Sequence, residues 1–308
     1  MAPQLKILAT PGWDDYALLD SGNGRKLERY GKLTLVRPEP QALWTPSGPP
    51  EAWERADAFF DSKPGDAKGG EDEDSWGRWR FSRPLPPEWP VRYREAVLAC
   101  RFTAFRHVGL FPEQAPHWDW MAARAGNAGG EQRPKLLNLF AYTGAASLVA
   151  AAAGYEVTHV DASKKAIAWA KENQAASNLT QAPIRWICDD ATKFVAREVR
   201  RGNRYQGILL DPPKFGRGPA NETWRIEEGL QPMLADCARL LADGPSFLML
   251  TAYAIRMSAL SLLETARDAL GPRGGDFEAG ELVVAQRGGE RHLSTSLYVR
   301  WSGPGAAP

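Results

Sequence analysis

Three cysteines in 308 residues are too few for a disulfide scaffold, and Cys100, Cys188 and Cys237 stand too far apart to make a Cys-x-x-Cys or Cys/His zinc spacing. No metal is expected, and a reducing compartment is. Long apolar runs are also missing. No stretch approaches ~18 uncharged apolar residues, so no membrane span is expected. The start, Met1-Ala-Pro-Gln-Leu-Lys-Ile-Leu-Ala-Thr10, is too short and interrupted for the core of a secretory signal, which makes a soluble cytoplasmic protein the expectation. Charge of one sign is not in excess either: 38 Lys+Arg face 37 Asp+Glu. That balance excludes a uniformly basic coat for nucleic acid and leaves room for local charged faces.

With 44% hydrophobic and 24% charged residues, the chain has the composition of a protein that buries a core. Up to about residue 60, short extended candidates alternate with turn signals: Tyr16-Ala-Leu-Leu-Asp20, Ser21-Gly-Asn-Gly24 and Leu33-Thr-Leu-Val-Arg37. Residues 61–74 hold six acids and two lysines among glycines, a net of −4, and read as a solvated loop. Further strands are expected at Trp76–Phe81 and Val91–Phe102, around a proline-rich link that cannot be central strand.

From about residue 134 the texture changes. Lys135–Phe140, Glu156–Asp161, Ile184–Cys188, Ile208–Asp211 and Phe247–Thr251 are apolar strand candidates, separated by helical patterns that begin near Gly144, Ser163, Ala191, Ile226 and Ser258. This alternation implies a parallel sheet covered by helices on both faces. The close of the chain departs from it, because Glu281–Ala285 and Leu293–Trp301 lie either side of Gly288-Gly289 and must pair antiparallel.

In open α/β sheets ligands bind beyond the carboxyl ends of the strands. Here those ends carry Leu139-Phe-Ala-Tyr-Thr-Gly144, Asp161, Asp189-Asp190 and Asp211-Pro-Pro-Lys-Phe215. Asp161, 17 residues after Gly144, suits a carboxylate that accepts from a ribose diol. The first turn has one glycine and lacks the G-x-G-x-x-G run that lets backbone approach a pyrophosphate, which argues for a nucleoside ligand without phosphates. In Asp211-Pro-Pro, successive prolines fix the backbone and present a rigid carboxylate and carbonyl.

Asn138-Leu-Phe-Ala-Tyr-Thr-Gly144, Val160-Asp-Ala-Ser163 and Leu210-Asp-Pro-Pro-Lys-Phe215 together resemble the class I S-adenosylmethionine (SAM)-dependent methyltransferases, and among them the bacterial 23S ribosomal RNA cytosine-C5 enzymes. The resemblance runs from about Phe105 to Leu270. Gly109-Leu-Phe-Pro-Glu-Gln114 is similar to the element that precedes the cofactor domain in that family, with Glu113 in place of its shorter acid. It implies an α/β fold: a seven-stranded Rossmann-like sheet with an antiparallel C-terminal hairpin over 116–308, behind a small β-rich lobe over 1–115.

The resemblance also assigns residues. SAM contacts fall to Phe111, Glu113, Asn138, Phe140, Tyr142, Thr143 and Gly144. Asp161, with Ala162 and Ser163, holds the ribose, and Asp190 takes the adenine amine while Asp189 is a solvated or capping neighbour. Asp211 also borders the cofactor, and with Pro212, Pro213 and Phe215 it faces the methyl acceptor, Phe215 either stacking on a flipped-out base or serving the core.

Methylation at cytosine C5 needs a thiolate, and the matching stretch after strand five, Leu250-Thr-Ala-Tyr-Ala254, has none. Cys188 and Cys237 read as small buried residues. A nitrogen, oxygen or other directly nucleophilic acceptor follows. The partner expected is RNA, ribosomal by resemblance; a protein or small-molecule acceptor, and a non-catalytic RNA-binding module, stay open, and no feature sets an oligomeric state. Lys193, Arg197, Arg200, Arg201 and Arg204 form either a solvated helix face or a grip on RNA, and Arg217, Arg225, Arg256, Arg287 and Arg291 would rim the acceptor pocket or, for Arg291, pair with Glu290. Eight of the twelve tryptophans stand before residue 121, as core or as stacking platforms, and His117 lines the pocket mouth or the core.

Overall fold

Two periodicities, alternation early in the chain and apolar runs spaced by helices later, separate into two units in the computed structural model, which describes residues 3–62, 77–125, 132–253 and 257–305. One unit comprises 1–8, 116–282 and 296–308; the other comprises 9–115 and 283–295. The units are therefore discontinuous in sequence, unlike the expected 1–115 and 116–308. The acidic segment lies outside the described residues except for Asp61 and Ser62, as do Trp76 and Arg256.

Strand β1 (Leu5–Ala9) comes first and joins the α/β sheet described below. In the β-rich unit, β2 (Tyr16–Gly22), β3 (Arg25–Tyr30), β4 (Leu33–Pro38), β5 (Ala58–Ser62) and β6 (Gly77–Phe81) form one sheet in that order, with helix α1 (Pro50–Glu54) between β4 and β5. Asn23 and Gly24, both with positive φ (52° and 71°), make the two-residue turn that matches the strand twist from β2 into β3. Strands β7 (Glu88–Tyr93) and β8 (Ala96–Arg101) pair as a separate ribbon, and Pro90 is tolerated there because a two-stranded ribbon has free edges.

Polar side chains hold this unit together from inside. Asp20, 2% exposed, accepts from the backbone N–H groups of Ser21, Ser47 and Gly48, the Ser47 hydroxyl and Trp53 Nε1. Buried Glu28 takes Arg37 through Nε (2.8 Å) and Nη2 (2.6 Å) and accepts from the Tyr16 hydroxyl at 2.9 Å. The charged string Arg25-Lys-Leu-Glu-Arg-Tyr30 is therefore a strand whose Glu28 charge is satisfied in the interior, which its sequence pattern conceals.

After helix α2 (Ala115–Ala122), the α/β unit runs β9 (Lys135–Leu139), α3 (Ala145–Ala152), β10 (Glu156–Asp161), α4 (Lys164–Ala176), β11 (Ile184–Cys188), α5 (Ala191–Arg201) and β12 (Gly207–Leu210). A small hairpin follows, β13 (Phe215–Arg217) with β14 (Thr223–Arg225), then α6 (Ile226–Leu240), β15 (Phe247–Ala252), α7 (Ala259–Leu270), β16 (Asp276–Ala285) and β17 (His292–Ser302). Sheet order is β1-β16-β17-β15-β12-β9-β10-β11, with β15, β12, β9, β10 and β11 parallel and β17 antiparallel to β15.

The described sheet has eight strands where seven were expected; the extra one is β1. Gly280 on β16 admits it, since a Cβ there would stand 1.7 Å from the Lys6 carbonyl oxygen. Leu137, Leu139, Ile208, Leu210, Leu248 and Leu250 fill the core, each at most 1% exposed and each stabilising by roughly 1.5–3 kcal/mol on burial. Strand order reverses at β9, whose neighbours are β10 and β12, so the crevice of the fold opens at their carboxyl ends.

Candidate active site

The turn leaving β9 has a strained backbone. Phe140 and Tyr142 lie in the left-handed region (φ 56° and 49°), followed by Gly144 at 87°. Each non-glycine residue so placed costs about 1–2 kcal/mol, so other contacts must hold the turn. Asp161 Oδ2, at the end of β10, accepts from the Tyr142 N–H at 2.8 Å. Asn173, fully buried on α4, donates Nδ2 to the Thr143 carbonyl at 2.9 Å. Gly144 opens α3, and a Cβ on it would stand 3.1 Å from Ala170 Cβ.

Asp161 Oδ1 accepts from the Ser163 N–H at 2.8 Å. Burial raises the Asp161 pKa despite these two hydrogen bonds. A carboxylate offers about four acceptor positions, so Asp161 retains capacity for two further donors. Beneath the turn, Asn138 Nδ2 donates to Ser147 Oγ, which in turn meets His159 Nδ1, both at 2.9 Å. Burial pushes the His159 pKa down to about 3, so this ring is neutral. Asn138, expected as a cofactor contact, thus spends its amide donor on the support of the turn.

At the end of β11, Asp190 caps α5 by accepting from the Lys193 N–H at 2.9 Å, while Asp189 accepts from the Asp190 N–H at 2.8 Å and pairs with Arg197. Capping falls to Asp190 and not to its neighbour. Ser163 caps α4 through Ala166 N–H at 3.2 Å, and the Ala162 carbonyl lies 3.7 Å from Cys188 Sγ.

A crystal structure from Agrobacterium tumefaciens, solved as a SAM-dependent methyltransferase, is 49% identical to this chain, covers 98% of it and 96% of its own length, and superposes with a TM-score of 0.89. The chain belongs to the SAM-dependent methyltransferases. A candidate SAM-dependent methyltransferase from Streptococcus mutans shares the fold, with a TM-score of 0.69 at 15% identity over 93% of this chain and 75% of that one. The family described as conserved hypothetical protein 95 matches residues 118–228 of the methyltransferase. Ribosomal RNA large subunit methyltransferase K/L of Shewanella frigidimarina is 37% identical over 109 residues, and that of Hahella chejuensis 33% identical over 151. These stretches are 35% and 47% of this chain but 15% and 20% of those proteins, so the match spans no more than a fifth of the length of these two relatives.

The site suits SAM by its acceptors: a carboxylate with spare acceptor capacity at β10 and a helix-capping acid at β11, beside a backbone turn held by side chains at β9. Beyond β12, Pro212 is buried and Asp211 half-buried, and the following hairpin was not foreseen. Its Trp224 donates Nε1 to the Pro213 carbonyl at 2.7 Å and packs on Phe140 with ring centroids 5.1 Å apart. The Arg225 guanidinium sits over the Phe215 ring at 5.4 Å, so the half-buried Phe215 has one face against a cation.

Other expected groups fall elsewhere. Phe111 and Glu113 belong to the β-rich unit, where Glu113 is buried and its carboxyl is raised by that burial. His117 is core: its Nδ1 accepts from Arg300 Nε at 3.0 Å. Arg291 donates to the Thr45 carbonyl at 2.7 Å in place of pairing with Glu290. Cys188 is exposed, contrary to expectation, because β11 is the edge of the sheet; Cys100 and Cys237 are buried and their thiols pushed up by burial. On α5, Lys193 pairs with Glu222 of the hairpin, Arg197 with Asp189 and Arg201 with Glu198. Trp224, Asn173, Ser147 and His159 were missed by sequence reasoning; a glycine inside a helix, Gly229, was the available signal for Trp224.

Proposed function

We propose that this methyltransferase acts on a base of ribosomal RNA, at a nitrogen or oxygen atom, in the cytoplasm. The observation that carries the site assignment is the convergence, at the switch point of the sheet, of the left-handed turn, Asp161 and the Asp211-Pro-Pro turn. The RNA class is supported by the relatives named as ribosomal RNA large subunit methyltransferases.

Bound SAM supplies an electrophilic methyl group on sulfonium. Phe140, Tyr142, Thr143 and Gly144 line its amino-acid portion, Asp161 with Ala162 and Ser163 takes the ribose hydroxyls, and Asp190 accepts from the adenine amine. The Asp211 carboxylate and Pro212 carbonyl would accept hydrogen bonds from an exocyclic amine, orienting its lone pair toward the methyl group and stabilising the positive charge that develops on nitrogen as the C–S bond breaks. Pro213 keeps that turn rigid, and Phe215 offers an aromatic face to an unstacked base. No cysteine takes part, in accord with the absence of one after β15.

A second reading, a protein or small-molecule acceptor, draws on the internal ion pairs of Lys193, Arg197 and Arg201, which leave fewer α5 cations for phosphates. Mass spectrometry of ribosomal RNA from cells with and without the gene decides between them: the proposal expects one nucleotide to lose a methyl group, and unchanged RNA rules out ribosomal RNA as substrate.

A further inference from the structure

We infer that Trp224 is a positioning residue that ties the turn receiving SAM to the Asp211-Pro-Pro turn facing the acceptor. This rests on the proposed use of those two turns. Trp224 is 6% exposed. Its indole meets both sides at once: the ring packs on Phe140, the first left-handed residue of the β9 turn, and Nε1–H donates to the Pro213 carbonyl.

The surroundings make room for the ring at a local cost. Gly229 lies in the first turns of α6, where alanine would favour the helix by about 1 kcal/mol. A Cβ at Gly229 would stand 2.6 Å from Trp224 Cζ3, so glycine is what the indole requires. Opposite Trp224 in the hairpin register is Gly216, whose Cβ would stand 3.3 Å from Pro213 Cγ. The hairpin is itself tethered to α5 by the Lys193–Glu222 pair. One side chain thus sets the separation between the cofactor turn and the acceptor turn, and in an aligned displacement a misplacement of ~1 Å costs on the order of 100-fold in rate.

A purely structural tryptophan would lower the melting temperature and leave the chemistry of the folded enzyme alone. Three variants of the full chain separate the roles, with S-adenosylhomocysteine (SAH) calorimetry and transfer from tritiated SAM to ribosomal RNA from a strain lacking the gene as readouts. Trp224→Phe keeps a ring against Phe140 and removes the N–H donor; SAH affinity stays within about twofold and kcat falls roughly tenfold or more. Trp224→Ala also loses the support of Phe140, and the SAH Kd rises about tenfold. Gly229→Ala keeps the indole and displaces it, with its melting temperature read beside the wild type to check that it folds; kcat falls as in Trp224→Phe and the SAH Kd rises at least about threefold. Wild-type turnover in Trp224→Phe and Gly229→Ala, or wild-type SAH affinity in Trp224→Ala, overturns the inference. If the wild type binds SAH and methylates none of this RNA, the RNA reading falls, and the SAH affinities of Trp224→Ala and Gly229→Ala still decide the role of Trp224.

Discussion

Two carboxylates, buried Glu28 and half-buried Asp161, are used in opposite ways. Burial alone would push Glu28 up, but Arg37 and Lys26 outweigh it and hold its pKa below the ordinary range. The stability it contributes is present above the unfolded-state value, about 4.3, and is lost as pH falls through its depressed folded value. Arg37→Met leaves Glu28 buried without its main partner and is expected to cost about 3–5 kcal/mol in urea denaturation; a loss under ~1 kcal/mol would contradict this account of the β-rich unit.

Asp161 has the other sign. Burial raises its pKa, so the apo protein does not lose stability through this group as pH falls into the window above the usual aspartate value, ~3.9. The ligand does lose its acceptor there. SAH affinity should therefore weaken on acidification at a pH above that ordinary value, and Asp161→Asn should flatten the profile; an equal slope in the variant would assign the effect to another group. Asp161 and Asp211 were legible because each ends a strand in a short motif. Asn173 was not, because its bond reaches back 30 residues to Thr143, a partner that only the folded chain reveals.

At the scale of elements, the alternation between residues 135 and 270 was readable because buried strands and amphipathic helices carry different periods; α5 and β11 lie where the pattern places them. The β13–β14 hairpin was not, since three-residue strands have no period to detect. The left-handed conformations of Phe140 and Tyr142 were equally hidden, as neither side chain favours that region. At Gly144 the conformation does agree with the residue. Gly144→Ala, with φ 87° and Ala170 close by, is expected to destabilise by about 1–2 kcal/mol and to weaken SAH binding. Unchanged melting temperature and SAH affinity in that variant would show that the turn tolerates a side chain and is not the tight element described.

For the molecule as a whole, the near balance of charge says little about any surface, because the cations of α5 are largely consumed by acids of the same unit. The run Met1–Thr10 was read as short and interrupted, and within it Leu5–Ala9 are an edge strand of the main sheet. Gly280→Val should expel β1 and lower the melting temperature of the full chain, whereas a variant that melts with the wild type would show that β1 contributes nothing to the sheet. No helix among the described residues is long and apolar enough to cross a membrane.

The central claim is that the turn after β9, clamped by Asp161, receives the cofactor of this methyltransferase. Calorimetric titration of SAH into the full-length wild type and Asp161→Ala tests it most directly. The account predicts binding to the wild type and a loss of at least about tenfold, ~1.4 kcal/mol, in a variant that remains folded. Equal affinity in the two proteins would contradict it.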